Sequence, residues 1–322
     1  MLSRRLFLAS LALSALAGRA AAADWPQKAV RIIYPYAAGS AGDAAARLLA
    51  EKLGEAFGQP VIIENRVGAN GTLAAQAVAR AAPDGHTLFF ATSPQIAIAP
   101  AVTKLPYDPV NDFAPISAVL TNTWVLVVNW QMPVKSIAEF VEHVRARPNK
   151  LVYAHAGVGS VTHLAMAMFV KQAGGEMAGV GYQGNAPALN GVVAGHVPAM
   201  FSILGDALPH AANGSIRLLA VSSEKRSPQV PDVPTVSECG FPGFRATAWN
   251  GLLAPAGTPK AIVHQIAAEV GRIVKEQKFA DRLLNLGIEP VGNSPDEFAA
   301  MIAADIALWG DAVKIAGIGR DS

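Results

Sequence analysis

Two stretches of this chain combine small residues with a hydroxyl where a strand would hand over to a helix. The first runs Pro35-Tyr36-Ala37-Ala38-Gly39-Ser40-Ala41-Gly42-Asp43. The second runs His155-Ala156-Gly157-Val158-Gly159-Ser160-Val161-Thr162-His163. Small side chains let the backbone come close to a bound molecule. The N–H groups of a helix start, with roughly half a positive charge behind them, favour an anion. Neither stretch contains Lys or Arg, which suits a carboxylate held by backbone donors better than a polyphosphate. The plain alternative is a tight turn that packs strand on helix, and finding the design twice in one chain weighs against it.

Enzymatic readings fare less well. Ala38-Gly39-Ser40-Ala41-Gly42 resembles a nucleophile elbow with Ala in place of the first Gly of G-x-S-x-G. It follows the first strand, so little sheet precedes it to build an oxyanion hole. No downstream Asp…His pair is recognisable as its partner, which leaves a secreted esterase using Ser40 as the weaker reading. Gly157-Val158-Gly159 begins like a dinucleotide fingerprint, but Thr162 stands at the third glycine position. The seven histidines include no H-E-x-x-H, and Cys239 is the only cysteine. Neither a metal nor a cofactor is therefore expected, and no residue is assigned a catalytic role.

Within the two stretches, His155 lies beside the glycines and is a candidate ligand contact. His163 reads as a first-turn histidine packing on neighbouring backbone. Asp43 reads as the cap of its helix and a brace for the loop, since a bare carboxylate would repel an anionic ligand. Tyr36 is the aromatic best placed to touch a ligand, while Tyr182 and Trp249 default to core.

The elements that must position these residues alternate between strand and helix. Strands are predicted at 30–34, 61–63, 87–90, 114–119, 124–128, 151–154, 218–222 and 249–254. Helices are predicted at 43–57, 72–82, 160–173 and 185–193. Ser136-Ile137-Ala138-Glu139 reads as a capping box. Thr258-Pro259 and Ser294-Pro295 read as caps with Pro in the first turn. A Pro- and Ser-rich loop spans 223–242. Alternation of this kind predicts α/β layers with mainly parallel sheets. No linker is long enough to separate two independent domains, which suggests two lobes that the chain crosses between more than once.

Composition narrows the class. Hydrophobic residues make up 52% and charged residues 16% of the 322, ample for a packed core. Met1–Arg5 is basic, 6–17 is apolar and Ala20–Ala23 offers small residues for cleavage. That is the layout of a signal peptide over residues 1–23, and the apolar run is too short to span a membrane. Ser3-Arg4-Arg5-Leu6-Phe7-Leu8 also resembles a twin-arginine export motif. Beyond residue 23 there are 23 basic against 24 acidic residues, with no basic stripe of the kind a nucleic-acid binder shows. The expectation is a monomer in an extracytoplasmic space such as the periplasm.

Longer stretches carry a family resemblance. They include Val61-Ile62-Ile63-Glu64-Asn65-Arg66-Val67-Gly68-Ala69-Asn70-Gly71-Thr72 and Ala79-Arg80-Ala81-Ala82-Pro83-Asp84-Gly85-His86-Thr87-Leu88. Leu105-Pro106-Tyr107-Asp108-Pro109, Tyr153-Ala154-His155-Ala156-Gly157-Val158-Gly159-Ser160, Pro231-Asp232-Val233-Pro234-Thr235 and Ala254-Pro255-Ala256-Gly257-Thr258-Pro259 continue the series. In this order they resemble the Bug family of extracytoplasmic solute receptors, which serve tripartite tricarboxylate transporters.

The resemblance implies an α/β periplasmic-binding-protein fold, a type II-like Venus flytrap of two lobes joined by a hinge. One lobe would hold 24–122 with 248–322, the other 123–247. It implies a small carboxylate as ligand, the membrane subunits of such a transporter as partners, and no enzymatic activity. A sensor that binds the same ligand but signals to a membrane kinase is the further alternative. The ligand loop would use Tyr36, Ala38, Gly39, Ser40, Ala41 and Asp43, with Ser93 and Gln95 beside it. Its counterpart would use His155, Gly157, Gly159 and Ser160, with Tyr182 and Ser202. Two departures bear on the ligand: His155 replaces a usual Ser, and Ser202 replaces an Asp common after Met-Phe. They favour a dicarboxylate or aromatic carboxylate over an amino acid.

Overall fold

The computed structural model describes residues 25–148 and 150–319. The expected signal peptide, residues 1–23, lies outside the described residues. Strands β1 (Val30–Tyr34), β2 (Val61–Asn65), β3 (Thr87–Thr92), β4 (Phe113–Asn122), β10 (Ala248–Pro255) and β11 (Ile288–Pro290) form a six-stranded sheet in the order β11-β4-β10-β3-β1-β2. Strands β5 (Trp124–Asn129), β8 (Ala199–Ile203) and β9 (Ile216–Val221) form a second sheet in the order β8-β5-β9. A parallel pair, β6 (Val152–His155) and β7 (Ala178–Gly181), stands beside it. The chain leaves the large sheet at Thr123, between β4 and β5, and re-enters it at Ala248.

The large sheet is mixed and the second is antiparallel, which corrects the expectation of mainly parallel sheets. β1 pairs in parallel with β2 and β3, but β10 runs antiparallel between β3 and β4, and β5 is antiparallel to both neighbours. β10 returns from more than a hundred residues away, and local periodicity carries no sign of its direction.

The predicted elements form for the expected reasons. Residues 30, 32, 33 and 34 of β1 are buried because layers cover both faces of a central strand. Helix α1 (Ala41–Phe57) buries Ala45, Ala46, Leu49, Ala50 and Leu53 on one face. Burial of Leu49 and of Leu53 is worth about 1.5–3 kcal/mol each. Gly58, at φ 65°, stops the helix and returns its N–H to the Gly54 carbonyl.

Three boundary readings need correction. Helix α2 (Thr72–Ala79) ends short of residue 82, ahead of the turn around Pro83. Ser136 accepts the Glu139 N–H, but the Glu139 carboxylate takes the Lys135 N–H at 2.7 Å, so half the capping box forms before helix α4 (Ile137–Arg145). Thr258 does not cap helix α8 (Lys260–Ile273): its hydroxyl donates to the Pro255 carbonyl at 2.7 Å, and Pro259 is the N-cap. Ser294, by contrast, makes the full box with Glu297 at the start of the last helix, Pro295–Ile315.

That last helix ties the two sheets together. Its first half buries Phe298 and Ile302 against Phe89 and Trp249 of the large sheet. Its second half buries Trp309, Ala312 and Val313 in a core with Leu126, Phe140, Leu164 and Phe169. Between the halves, the fully buried Asp305 accepts the Trp249 Nε1–H at 2.9 Å and pairs with Arg245 at 2.6 Å.

Candidate ligand-binding site

The first loop is built by one carboxylate. Ser40, at φ −75° and ψ 161°, is the N-cap of α1, and its Oγ accepts the Asp43 N–H at 3.1 Å. Asp43 was expected to be the cap; its side chain instead reaches back past Ser40 to accept the Gly39 N–H at 3.0 Å. The same carboxylate accepts from Arg47 Nε at 2.9 Å and from Asn65 Nδ2 at 2.8 Å. Asn65 Nδ2 also donates to the Tyr36 carbonyl at 2.9 Å, so the strand after the loop holds both of its ends. Burial alone would raise the Asp43 pKa, but the bonds from Arg47, Asn65 and Gly39 outweigh it and hold the group below the usual carboxylate range. Asp43 is therefore ionised at neutral pH and has no capacity left to meet a ligand.

With Asp43 so occupied, the amides of Ala41 and Gly42 take no acceptor among the described residues, as the geometry of a helix start dictates. Ala38, Gly39, Ser40 and Ala41 are exposed. Below them, Tyr36 Oη accepts from Gln95 Nε2 at 2.8 Å, and Gln95 also donates to the Asn70 carbonyl at 3.1 Å. Gln95 Oε1 accepts the Thr92 N–H at 3.2 Å, so this buried amide braces Tyr36. Ser93 is fully buried, and its hydroxyl has no partner among the described residues.

The second loop repeats the layout with different chemistry. Ser160, at φ −68° and ψ 157°, caps helix α5 (Val161–Gln172) and accepts the His163 N–H at 3.3 Å. His163 reaches back to Gly159, whose N–H donates to Nδ1 at 3.3 Å, just as Gly39 donates to Asp43. Gly39 and Gly159 both have positive φ, 94° and 75°, which side chains rarely tolerate. The shared pattern is Gly-Ser-x-x-Asp in one loop and Gly-Ser-x-x-His in the other. His155 Nδ1 accepts the Gly157 N–H at 3.2 Å, and its ring lies 4.4 Å from that of His163. Burial pushes the His163 pKa down to about 4, helped by His155, and burial lowers His155 as well. Both rings are neutral at pH 7, as acceptance through Nδ1 requires. The amides of Val161 and Thr162 are left without acceptors among the described residues.

Among the described residues no hydrogen bond joins the first loop to the second, and the candidates fall into three groups. Tyr36, Ser40, Asp43 and Gln95 gather at the first loop. Tyr182 gathers with His155 at the second, where its N–H donates to the His155 carbonyl at 2.9 Å. Ser202 stands apart at the end of β8, fully buried, accepting from Asn185 Nδ2 at 3.3 Å. Asn185 opens helix α6 (Asn185–Val193), donates also to Asp206 at 2.6 Å, and keeps a buried Oδ1 with no partner among the described residues. The segment from Gln95 to Val102 links the loops: Gln95 holds Tyr36, and Val102 lies against Gly159.

Residues 45–318 match the model of the tripartite tricarboxylate transporter family receptors, TctC. The chain belongs to this receptor family. It is similar to BugT of Bordetella pertussis, 30% identical over 309 residues that cover 95% of each chain. It is similar in structure to Rpa4515 of R. palustris with adipate, at TM-score 0.78 and 34% identity over 92% of this chain and 99% of that one. MatC of Rhodopseudomonas palustris with bound malate gives TM-score 0.73 and 36% identity, over 90% and 100% of the two chains. The fold is that of the periplasmic solute-binding proteins, as the resemblance implied.

For a TctC receptor, the nucleophile reading of Ser40 has little left to stand on. Its Oγ accepts the Asp43 amide and faces Tyr34 Oη at 3.3 Å, and no histidine among the described residues bonds to it. Burial pushes that tyrosine up to about 12, so Tyr34 offers Ser40 a proton rather than a base. Sequence reasoning did not single out Arg47, Asn65 or Asn185 as site residues. The only local signal was Asn65 inside a family stretch; Asn65 meets Asp43 and Arg47 from 22 and 18 residues away, and Asn185 meets Ser202 and Asp206 from 17 and 21.

Proposed function

We propose that this receptor captures a small organic carboxylate between its two Ser-capped helix starts and delivers it to the membrane subunits of a tripartite tricarboxylate transporter. The observation that carries the proposal is the matched pair of loops. Each ties down a glycine amide with its own Asp or His and leaves two amides of the next helix turn for an anion. Helix starts of this kind hold carboxylates without a cationic side chain. The adipate and malate carried by Rpa4515 and MatC bring dicarboxylates forward as the first class to test. Ser202, where the family resemblance expects Asp, removes the acceptor that an amino acid's ammonium would need.

On this reading, 24–122 with 248–322 make one lobe, 123–247 make the other, and the ligand closes them about the crossings near Thr123 and Thr247. The ligand contacts are the loop residues Tyr36 to Ala41, braced by Asp43, and His155 to Ser160, with Ser93, Gln95, Tyr182 and Ser202 behind them. The mature protein works as a periplasmic monomer beginning near Asp24, without turnover of its ligand.

A thermal-shift screen of carboxylates tests the proposal, because a ligand that binds only the folded state stabilises it by about 2.7 kcal/mol at a hundred times its Kd. Dicarboxylates should raise the melting temperature in a concentration-dependent way. A screen in which sugars or cations shift the melt and no carboxylate does would refute it.

A further inference from the structure

We propose that His155 and His163 are positioning residues of the second loop, each holding a glycine amide through a bare Nδ1 and so fixing the helix start that meets the ligand. The inference rests on the reading of that loop as a ligand site. Its ground is the correspondence between the loops. The third residue of the helix reaches back to the glycine before the cap in both, but the reaching group differs. Asp43 carries a full negative charge, which Arg47 at 2.9 Å and Asn65 at 2.8 Å must compensate. His163 makes the same bond to Gly159 as a neutral ring, adding no negative charge beside an incoming carboxylate. The second loop thus needs no counter-cation at this position.

The rings are seated by the fold. β7 carries glycine at 179 and 181, and a Cβ at those positions would stand 3.0 Å from His155 Cδ2 and 3.2 Å from His155 Cε1. Tyr153 stacks on His163 with ring centres 6.2 Å apart and lies 5.9 Å from His155, so the three rings form one cluster. The titratable groups around His163 are Tyr153 and His155 from β6, Lys171 from its own helix and Glu176 from the turn before β7. Among the described residues, the end of the last helix lines the cleft behind the ring with Ile315 and its C-cap Ala316. Burial disfavours the charged imidazole at both positions, and a neutral ring that accepts a glycine N–H through Nδ1 carries its proton on Nε2. Those acceptors pin the amides of Gly157, at φ 122°, and Gly159, at φ 75°, beside the turn that the Ser160 N–H closes onto the Gly157 carbonyl at 3.1 Å.

The test uses 15N-labelled full-length mature protein. In the wild type at pH 7, the imidazole nitrogens of both residues should report an unprotonated Nδ1 and a protonated Nε2. The Gly157 and Gly159 amides should exchange slowly with solvent. His163→Ala should speed exchange at Gly159 by about tenfold and weaken adipate binding by about fivefold, the scale of one lost neutral hydrogen bond. His163→Asn should restore both, since Asp43, with a side chain of the same length, makes this bond to Gly39. A protonated Nδ1 on His163, unchanged Gly159 exchange in His163→Ala, or a folded His163→Asn as weak as His163→Ala would overturn the inference. If the wild type binds neither adipate nor malate, the carboxylate proposal is what fails, and the Gly159 exchange still decides this one. Should His163→Ala not fold, the wild-type tautomers and the Asn variant decide it.

Discussion

Replacing Asp43 with Asn removes one charge and almost no volume, and the structure fixes what that should cost. Oδ2 accepts from Gly39 N–H and Arg47 Nε, and Oδ1 accepts from Arg47 Nη2 at 3.2 Å and Asn65 Nδ2 at 2.8 Å. An amide keeps one oxygen, so its NH2 must point at a donor pair whichever way it is turned. One buried bond to a charged acceptor is lost, worth about 1.5–2 kcal/mol. Arg47 is half exposed, so its share is discounted to below about 1 kcal/mol. The sum is a loss of about 1.5–3 kcal/mol in unfolding free energy, readable by urea denaturation at pH 7. The sign with pH follows from the depressed carboxyl pKa: the stabilisation is complete above the unfolded value near 3.9 and is lost as pH falls through the folded value. The gap between wild type and variant should therefore narrow below about pH 4. A variant within about 0.5 kcal/mol of wild type at pH 7, or a gap that widens in acid, would refute the account of the first loop.

Other positions give sharper single outcomes. Ser40→Ala should cost about 1 kcal/mol of stability through the lost cap and should weaken adipate binding, while wild type hydrolyses no nitrophenyl ester above background. Ester turnover that disappears in this variant would instead establish the hydrolase. Gly287, at φ 75°, packs against the backbone of Gly205, so Gly287→Ala should destabilise by about 2–4 kcal/mol in thermal or urea unfolding. Arg245→Ala strands the buried Asp305 without its cation and should cost about 3 kcal/mol at pH 7. That loss should shrink in acid, because burial already raises the Asp305 pKa and protonation relieves the unpaired charge.

Much of the site scaffold was legible because its cues are local. Gly159-Ser160 marks its helix start by the turn and the cap, and that helix begins one residue on, at Val161; the first helix, read from Asp43, begins two residues earlier at Ala41 with Ser40 as its cap. The buried strands announced themselves as apolar runs. What escaped depends on partners distant in sequence. β10 enters the large sheet antiparallel, and nothing between residues 248 and 255 encodes which neighbours it will find. β7 reads Ala-Gly-Val-Gly and carries no strand signal, since two of its four positions are emptied to seat His155. Thr258 looks like a cap until the Pro255 carbonyl three residues back takes its hydroxyl. Asp43 was legible as a brace, but its choice of Gly39 over the cap residue depends on Arg47 and Asn65 arriving on the other side.

The central claim is that the two helix starts grip a carboxylate that lacks an ammonium group. Isothermal calorimetry of the mature protein with adipate, malate and glutarate, set against aspartate and glutamate, tests it most directly. The account predicts saturable heat from at least one dicarboxylate and binding of the amino acids at least about tenfold weaker, the loss expected for an ammonium left without its acceptor. Micromolar binding of glutamate with no heat from glutarate, its deaminated analogue, would contradict it.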